Sequence, residues 1–150
     1  MANWDYRFYE MALLVSSWSK DTNTKVGSVI VDKDKIVLSM GYNGFPRGCD
    51  DSIECRYEAP QKYLFTEHSE RNAIYHAARH GVSLKGCTLY ATMFPCSDCS
   101  RGIIQAGITK VVAPTPDFEH HKWGEHFKVS IKMLEEASVE VLLLSVDNNK

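Results

Sequence analysis

His68-Ser69-Glu70 and Pro95-Cys96-Ser97-Asp98-Cys99 put one imidazole, two thiols and one carboxylate into two short strings of a 150-residue chain. Imidazole and thiolate are the ligands zinc prefers, and three of them leave a tetrahedral ion one open corner for water. An ion so held lowers the pKa of that water from ~16 towards ~7. Glu70 follows His68 too closely to be a comfortable fourth ligand, and it can reach the water as a proton shuttle. The set is therefore equipped for metal-assisted hydrolysis. Two other readings stay open. A closed structural zinc site needs a fourth ligand, which Cys87, Cys55 or Cys49 can supply, although Cys87, just ahead of a predicted strand, reads better as a buried inert thiol. A thioredoxin-like redox pair at Cys96 and Cys99 leaves His68 and Glu70 without a role.

For the two strings to meet, two helix N-termini must converge. Cys-x-x-Cys in a first helical turn puts both sulfurs on one side, where the positive end of the dipole favours thiolate over thiol. Pro95 suits the start of that helix, where a missing N–H has no partner to lose. Patterning predicts helices over Asp5 to Ser19 with Asp5 as N-cap, over His68 to His80 closed by Gly81, over Cys96 to Ala106 closed by Gly107, and over Lys122 to Ala137. Strands are predicted over Val26 to Val31, Ile36 to Tyr42, Thr88 to Thr92, Lys110 to Ala113 and Val139 to Leu144. Asn43 to Leu64 reads as a long irregular segment, of the kind that carries function. Strands and helices alternate from the third strand onward, which favours a single α/β unit over residues 1–150 with helices on both faces of its sheet.

Composition narrows the partners. Hydrophobic residues make up 44% of the chain, enough for one substantial core. Seventeen basic and nineteen acidic residues give a net charge of −2, and no long run of Lys and Arg is present to hold a phosphate backbone. Long nucleic acid is not the expected partner, whereas a small anionic ligand is compatible. Five cysteines and an opening Met1-Ala2-Asn3-Trp4-Asp5 without secretion-signal order point to reduced thiols and a cytoplasmic setting. The longest apolar stretch, Val139 to Val146, is interrupted by Glu140 and Ser145. It is far short of the ~20 residues that span a bilayer and reads as a core strand.

The zinc strings, Ser19-Lys20-Asp21-Thr22-Asn23-Thr24-Lys25-Val26-Gly27, Gly41-Tyr42-Asn43-Gly44-Phe45-Pro46-Arg47-Gly48 and Ile104-Gln105-Ala106-Gly107-Ile108 together resemble the deoxycytidylate (dCMP) deaminases from about Tyr6 to Leu144. The zinc strings alone match the wider zinc nucleobase deaminases, and Gly41 to Gly44 is the discriminating part. The resemblance implies a cytidine-deaminase-like three-layer α/β/α fold with a central mixed five-stranded sheet. It implies hydrolysis of dCMP to dUMP and ammonia, feeding thymidylate synthesis, with Zn²⁺ on His68, Cys96 and Cys99 and Glu70 as the shuttle. Thr24, Asn43, Ser69, Phe94 and Pro95 are then expected at the substrate. A homo-oligomer, usually a hexamer, activated by dCTP and inhibited by dTTP with Mg²⁺, is also implied, with Gly41, Tyr42, Asn43, Gly44 and Arg47 near the effector. Ser69 stands where the family usually has Ala, and Arg71 where an uncharged residue is expected.

Other residues carry paired readings. Glycines at 41, 44 and 48 permit positive φ and close approach of amides to a phosphate, or simply a tight turn. Lys25, Arg47 and Lys122 are candidate phosphate contacts, or solvated surface. Trp123 can cover a base, or pack in the core. His120, His121 and His126 invite a second metal, but no cysteine or carboxylate spacing completes the set. Some relatives carry an extra structural zinc; here Asp21 stands at one of its cysteine positions and residues 50–67 contain no histidine, so none is expected despite Cys49 and Cys55. Besides a dCMP deaminase, a deaminase of another pyrimidine or purine and an idle nucleotide-sensing module fit the sequence.

Overall fold

The computed structural model describes residues 3–146. Helix α1 runs Trp4–Ser16 and is capped by Asn3, whose side chain accepts the Asp5 N–H at 3.0 Å. Asp5, the expected cap, is engaged elsewhere: its carboxylate accepts the Tyr90 hydroxyl at 2.9 Å and faces Lys110 at 3.7 Å. The helix ends short of Ser19. Ser16 and Ser17 hydroxyls donate back to the Leu13 and Leu14 carbonyls at 2.6 Å, a local bonding that loosens the last turn.

Strands β1 (Gly27–Val31), β2 (Val37–Tyr42), β3 (Thr88–Ala91), β4 (Lys110–Pro114) and β5 (Glu140–Leu144) form one mixed sheet in the order β2-β1-β3-β4-β5. β1 pairs antiparallel with β2 and β3, whereas β3–β4 and β4–β5 are parallel. Strand alternation divides the core. Val29, Val31, Tyr90, Val112 and Leu144 meet Phe8, Ala12 and Val15 of α1. On the other face, Ile30, Leu89 and Val111 meet Ala73 of α3 (Ser69–Arg79), Ile103 of α4 (Ser97–Gln105) and Leu134 of α5 (Gly124–Glu136). The two parallel connections carry α4 and α5 onto the same face, as right-handed crossovers require. The layers are those of the cytidine-deaminase-like fold. β5 is an edge strand with Leu143 exposed, a correction to the core strand expected there. No helix among the described residues is long and apolar enough to cross a membrane.

The long segment after β2 is more ordered than its composition suggests. It contains a 3₁₀ turn over Glu54–Tyr57 and a short helix, α2, over Lys62–Phe65. Phe45 stacks on Tyr57 at 4.6 Å and packs against Phe65 at 5.6 Å, with the Arg56 guanidinium over the Phe65 ring. Aromatic contacts across the loop supply the order that its Gly, Pro and charged residues conceal.

Strand directions bring the distant strings together. Because β1 runs against both neighbours, its first residue, Gly27, lies beside the end of β2 (Tyr42) and the residue after β3, where the Thr92 N–H donates to the Gly27 carbonyl at 3.0 Å. Residues 24–26, Asn43 and 93–96 therefore reach one end of the sheet. A bridge between Gly44 and Glu67 (2.8 and 3.1 Å) delivers the start of α3 to the same place.

Candidate active site

Both zinc strings sit at helix starts, one residue earlier than predicted. His68 is the N-cap of α3 and Cys96 the N-cap of α4, the Cys96 sulfur accepting the Cys99 N–H at 3.5 Å. Pro95 thus precedes the cap instead of occupying the first helical position. The His68 Nδ1 lies 3.4 Å from Cys96 Sγ and 3.5 Å from Cys99 Sγ. Tetrahedral zinc with Zn–S near 2.3 Å and Zn–N near 2.05 Å sets N···S at about 3.6 Å, so the donors stand where an ion needs them. Among the described residues this trio is the one His/Cys/Asp/Glu group able to hold a metal. Cys87 is buried elsewhere in the core, and Cys49 and Cys55 are exposed. Among the described residues no fourth His, Cys, Asp or Glu joins the trio, which borders the cleft.

The two neighbouring thiols shift in opposite directions. A hydrogen bond from Cys99, joined by His68, overcomes burial and pulls Cys96 down to about 4, while the same bond and burial push Cys99 up. Burial acts to lower His68, but the Cys96 sulfur and the Glu70 charge outweigh it and raise the imidazole. Burial pushes the Glu70 carboxyl up. A bound dication reverses this order by favouring both thiolates and neutral imidazole.

The trio opens into a cleft of about 390 Å³, whose walls include Thr24, Asn43, Glu70, Phe94 and Trp123. Glu70 is 4% exposed and outside the ligand trio. Asn43 uses its side chain structurally: Oδ1 accepts the Val26 N–H and Nδ2 donates to the Thr24 carbonyl, both at 2.8 Å. One amide hydrogen and one lone pair remain for a ligand. Ser69 also lines the cleft, and its hydroxyl bonds Ser28 on β1 at 2.7 Å, tying the first turn of α3 to the sheet. Phe94 packs edge-on against Phe127, and Pro95 behind it is fully buried. Trp123, just before α5, stands edge-on to His68 at 5.6 Å and packs on the core, while also lining the cleft.

The loop 41–48 is shaped differently from the glycine reading. Of Gly41, Gly44 and Gly48, only Gly48 has positive φ. A Cβ on Gly41 would fall 2.5 Å from the Ala73 nitrogen and 2.6 Å from the Ser69 carbonyl, so this glycine lets β2 press against α3. Tyr42 is exposed, and Arg47 reaches away from the cleft to His76 on α3 at 3.3 Å. Lys25 is likewise exposed.

Several contacts in and beside the cleft escaped sequence reasoning. Asp21, 4% exposed, accepts the Asn23 and Thr24 N–H groups at 2.8 and 3.0 Å and pairs with Lys62 of α2 at 2.9 Å. Arg71 is clamped by Glu67 at 2.6 Å, with Asp98 at 4.0 Å. His126 Nδ1 bonds the Ser97 hydroxyl at 2.7 Å, and His120 Nδ1 accepts the Lys122 and Trp123 N–H groups at 3.1 Å. Among the described residues the three histidines do not come together as a metal-ligating group. The Lys62–Asp21 and His126–Ser97 partnerships are distant in sequence and carry no spacing signal, whereas Glu67 and Arg71 stand at the i,i+4 spacing of a helix pair, and an arginine beside the glutamate was a visible anomaly.

A mixed sheet that ends at a three-donor metal cluster with an open corner and a buried carboxylate is the architecture of a zinc hydrolase. Residues 2–115 match the family model described as the cytidine and deoxycytidylate deaminase zinc-binding region. The chain is 47% identical over 149 residues to an uncharacterized deaminase in the luxG 3′ region of Aliivibrio fischeri, covering 98% of this chain and 97% of that one. It is 37% identical over 114 residues to human deoxycytidylate deaminase, covering 73% of this chain and 63% of the human one. The crystal structure of the dCMP deaminase from cyanophage S-TIM5 in complex with dCMP and dUMP superposes with a TM-score of 0.75 at 30% identity, covering 93% and 95% of the two chains. The chain belongs to the cytidine and deoxycytidylate deaminase family, and is a deaminase.

Proposed function

We propose that this deaminase hydrolyses dCMP to dUMP and ammonia, with Zn²⁺ held by His68, Cys96 and Cys99. The observation that carries the reading is the match of the two N···S separations, 3.4 and 3.5 Å, to a tetrahedral ion, with no fourth ligand joining the group among the described residues. Similarity over nearly its full length to a protein solved with dCMP and dUMP favours this substrate. The ion supplies acidification of the attacking water. Glu70 takes a proton from that water and delivers it to N3 of the cytosine ring, making C4 electrophilic to the water oxygen. Once that oxygen is on C4, Glu70 takes its second proton and passes it to the departing amine, so ammonia leaves and the C4 oxygen remains as the carbonyl. Burial raises the Glu70 carboxyl pKa, which makes the carboxylate a better proton acceptor. The free hydrogen-bonding capacity of Asn43 meets the deoxyribose hydroxyl, with Thr24 beside it. The backbone at Phe94, fixed by Pro95, meets the pyrimidine edge, and Ser69 orients the first turn of α3 through Ser28.

Control by nucleoside triphosphates belongs to the same reading: dCTP activates and dTTP inhibits, each with Mg²⁺, in a homohexamer of a cytoplasmic enzyme. Supporting it, the segment 41–47 leads from the cleft wall at Asn43 to the surface at Tyr42 and Arg47, so Gly41, Tyr42, Gly44 and Arg47 can link an outer ligand to the substrate. Ammonia release from dCMP, dCTP, deoxycytidine and a tRNA anticodon stem tests the substrate. Turnover of dCMP foremost is expected, and none would refute it. Saturation curves with and without dCTP and dTTP test the control, and unchanged curves would refute that part.

A further inference from the structure

Three cationic side chains, Lys62, Arg71 and Lys122, line the cleft. Two are already matched by carboxylates. Lys62 meets Asp21 at 2.9 Å, and Arg71 meets Glu67 at 2.6 Å with Asp98 beyond. Lys122 differs. Its Nζ is buried and has no hydrogen-bond partner among the described residues. It lies over the Tyr63 ring of α2 and 5.0 Å from the Trp123 centroid, where aromatic faces give only partial compensation. An unpaired ammonium out of water is unfavourable unless an anion completes it. The turn holding it is rigid, since His120 Nδ1 accepts both the Lys122 and the Trp123 N–H.

We propose that Lys122 is the specificity-determining residue that makes the cleft a nucleotide site: its ammonium pairs with the 5′-phosphate, and a nucleoside leaves it unmatched. This rests on the deaminase reading of the same cleft. Lys62 and Arg71 keep their carboxylates and shape the walls. Tyr63 holds the ammonium in place until the phosphate arrives.

The test is the ratio of kcat/KM for dCMP to that for deoxycytidine, measured on zinc-replete protein. Lys122→Gln lowers the ratio by roughly 100-fold, the scale for truncating one partner of a buried charge pair, and Lys122→Arg restores most of it. Lys62→Gln keeps the ratio within a few-fold of wild type. A ratio unchanged in Lys122→Gln, an equal loss on both substrates, or a ratio collapsing in Lys62→Gln instead would overturn the assignment. Binding separates this from the wider reading. If wild-type protein turns over no dCMP, the proposed function falls, yet titration with dUMP and deoxyuridine still reports on the lysine. Wild type prefers dUMP by a factor that Lys122→Gln abolishes; absence of preference in wild type overturns the proposal. Should the glutamine variant not fold, Lys122→Met serves. With a lone charge removed, the free protein melts no lower than wild type, and dUMP raises its Tm less. A lower Tm with an undiminished dUMP shift contradicts the assignment.

Discussion

Replacing Asp21 tests how the cleft wall is held. Its carboxylate accepts two backbone N–H groups and one ammonium, with Asp21 and Lys62 side chains only 5% and 15% exposed. Asp21→Ala leaves all three donors without their acceptor. Breaking a buried pair by removing one partner costs about 3–5 kcal/mol, and the low end applies because the Lys62 head borders a cleft that admits water. At about 2–4 °C per kcal/mol for a chain of this size, a loss of ~3 kcal/mol lowers Tm by roughly 6–12 °C. Asp21→Asn keeps an acceptor for the N–H groups and loses only the charge, so its cost is smaller. Adding Lys62→Met to Asp21→Asn removes the stranded ammonium and recovers part of the loss. The acid range gives a second check. Burial acts to raise the Asp21 carboxyl, but the Thr24 and Asn23 N–H groups and Lys62 prevail and hold it below the usual carboxylate range. A depressed folded pKa contributes stability that is complete above the unfolded value, about 3.9, and is lost as pH falls through the folded one. The Tm gap between wild type and Asp21→Asn is therefore constant near neutral pH and closes only in strong acid. Calorimetric melting of zinc-replete protein from pH 3 to 8 reads both. A drop under 2 °C for Asp21→Ala, or a gap that widens in acid, refutes the reasoning.

Other perturbations follow from the same contacts. Glu70→Gln is nearly isosteric, so zinc content and Tm hold while kcat falls by roughly 10²–10⁴-fold, the scale of a lost acid–base group; wild-type turnover would remove the shuttle role. Asn43→Ala orphans the Val26 N–H and the Thr24 carbonyl, costing about 2–3 kcal/mol in urea titrations and raising KM for dCMP; unaltered stability would show that these bonds contribute nothing. Gly41→Ala drives a methyl into α3 backbone and lowers Tm with or without dCTP, whereas a variant that melts normally but ignores dCTP would assign Gly41 to the effector alone.

Local signals carried most of this architecture, and long-range contacts hid the rest. Helical and alternating periodicity placed every strand and the four longer helices within a few residues, because each buries one face. Ends drifted where side chains competed for the backbone: Asn3 took the cap expected of Asp5, and the serines at 16 and 17 ended α1 early. α2 escaped because its packing partners, Phe45 against Phe65 and Asp21 against Lys62, are far away in the chain. The metal donors were legible since a helix start fixes their geometry within four residues. By contrast, the matched state of Lys62 and the unmatched state of Lys122 depend on long-range placement that no spacing reveals, whereas Glu67 stands at i,i+4 spacing from Arg71. The positive φ expected at Gly41 is not found for the same long-range reason: the close neighbour that requires a glycine there is the backbone of α3, distant in sequence.

X-ray absorption at the zinc edge of the purified protein, with metal content per chain, tests the central claim most directly. One zinc bound by two sulfurs, one imidazole nitrogen and one further light atom that dUMP or a hydrated pyrimidine analogue perturbs is the predicted result. A third sulfur, a full set of protein ligands, or protein that deaminates dCMP without bound metal would contradict it.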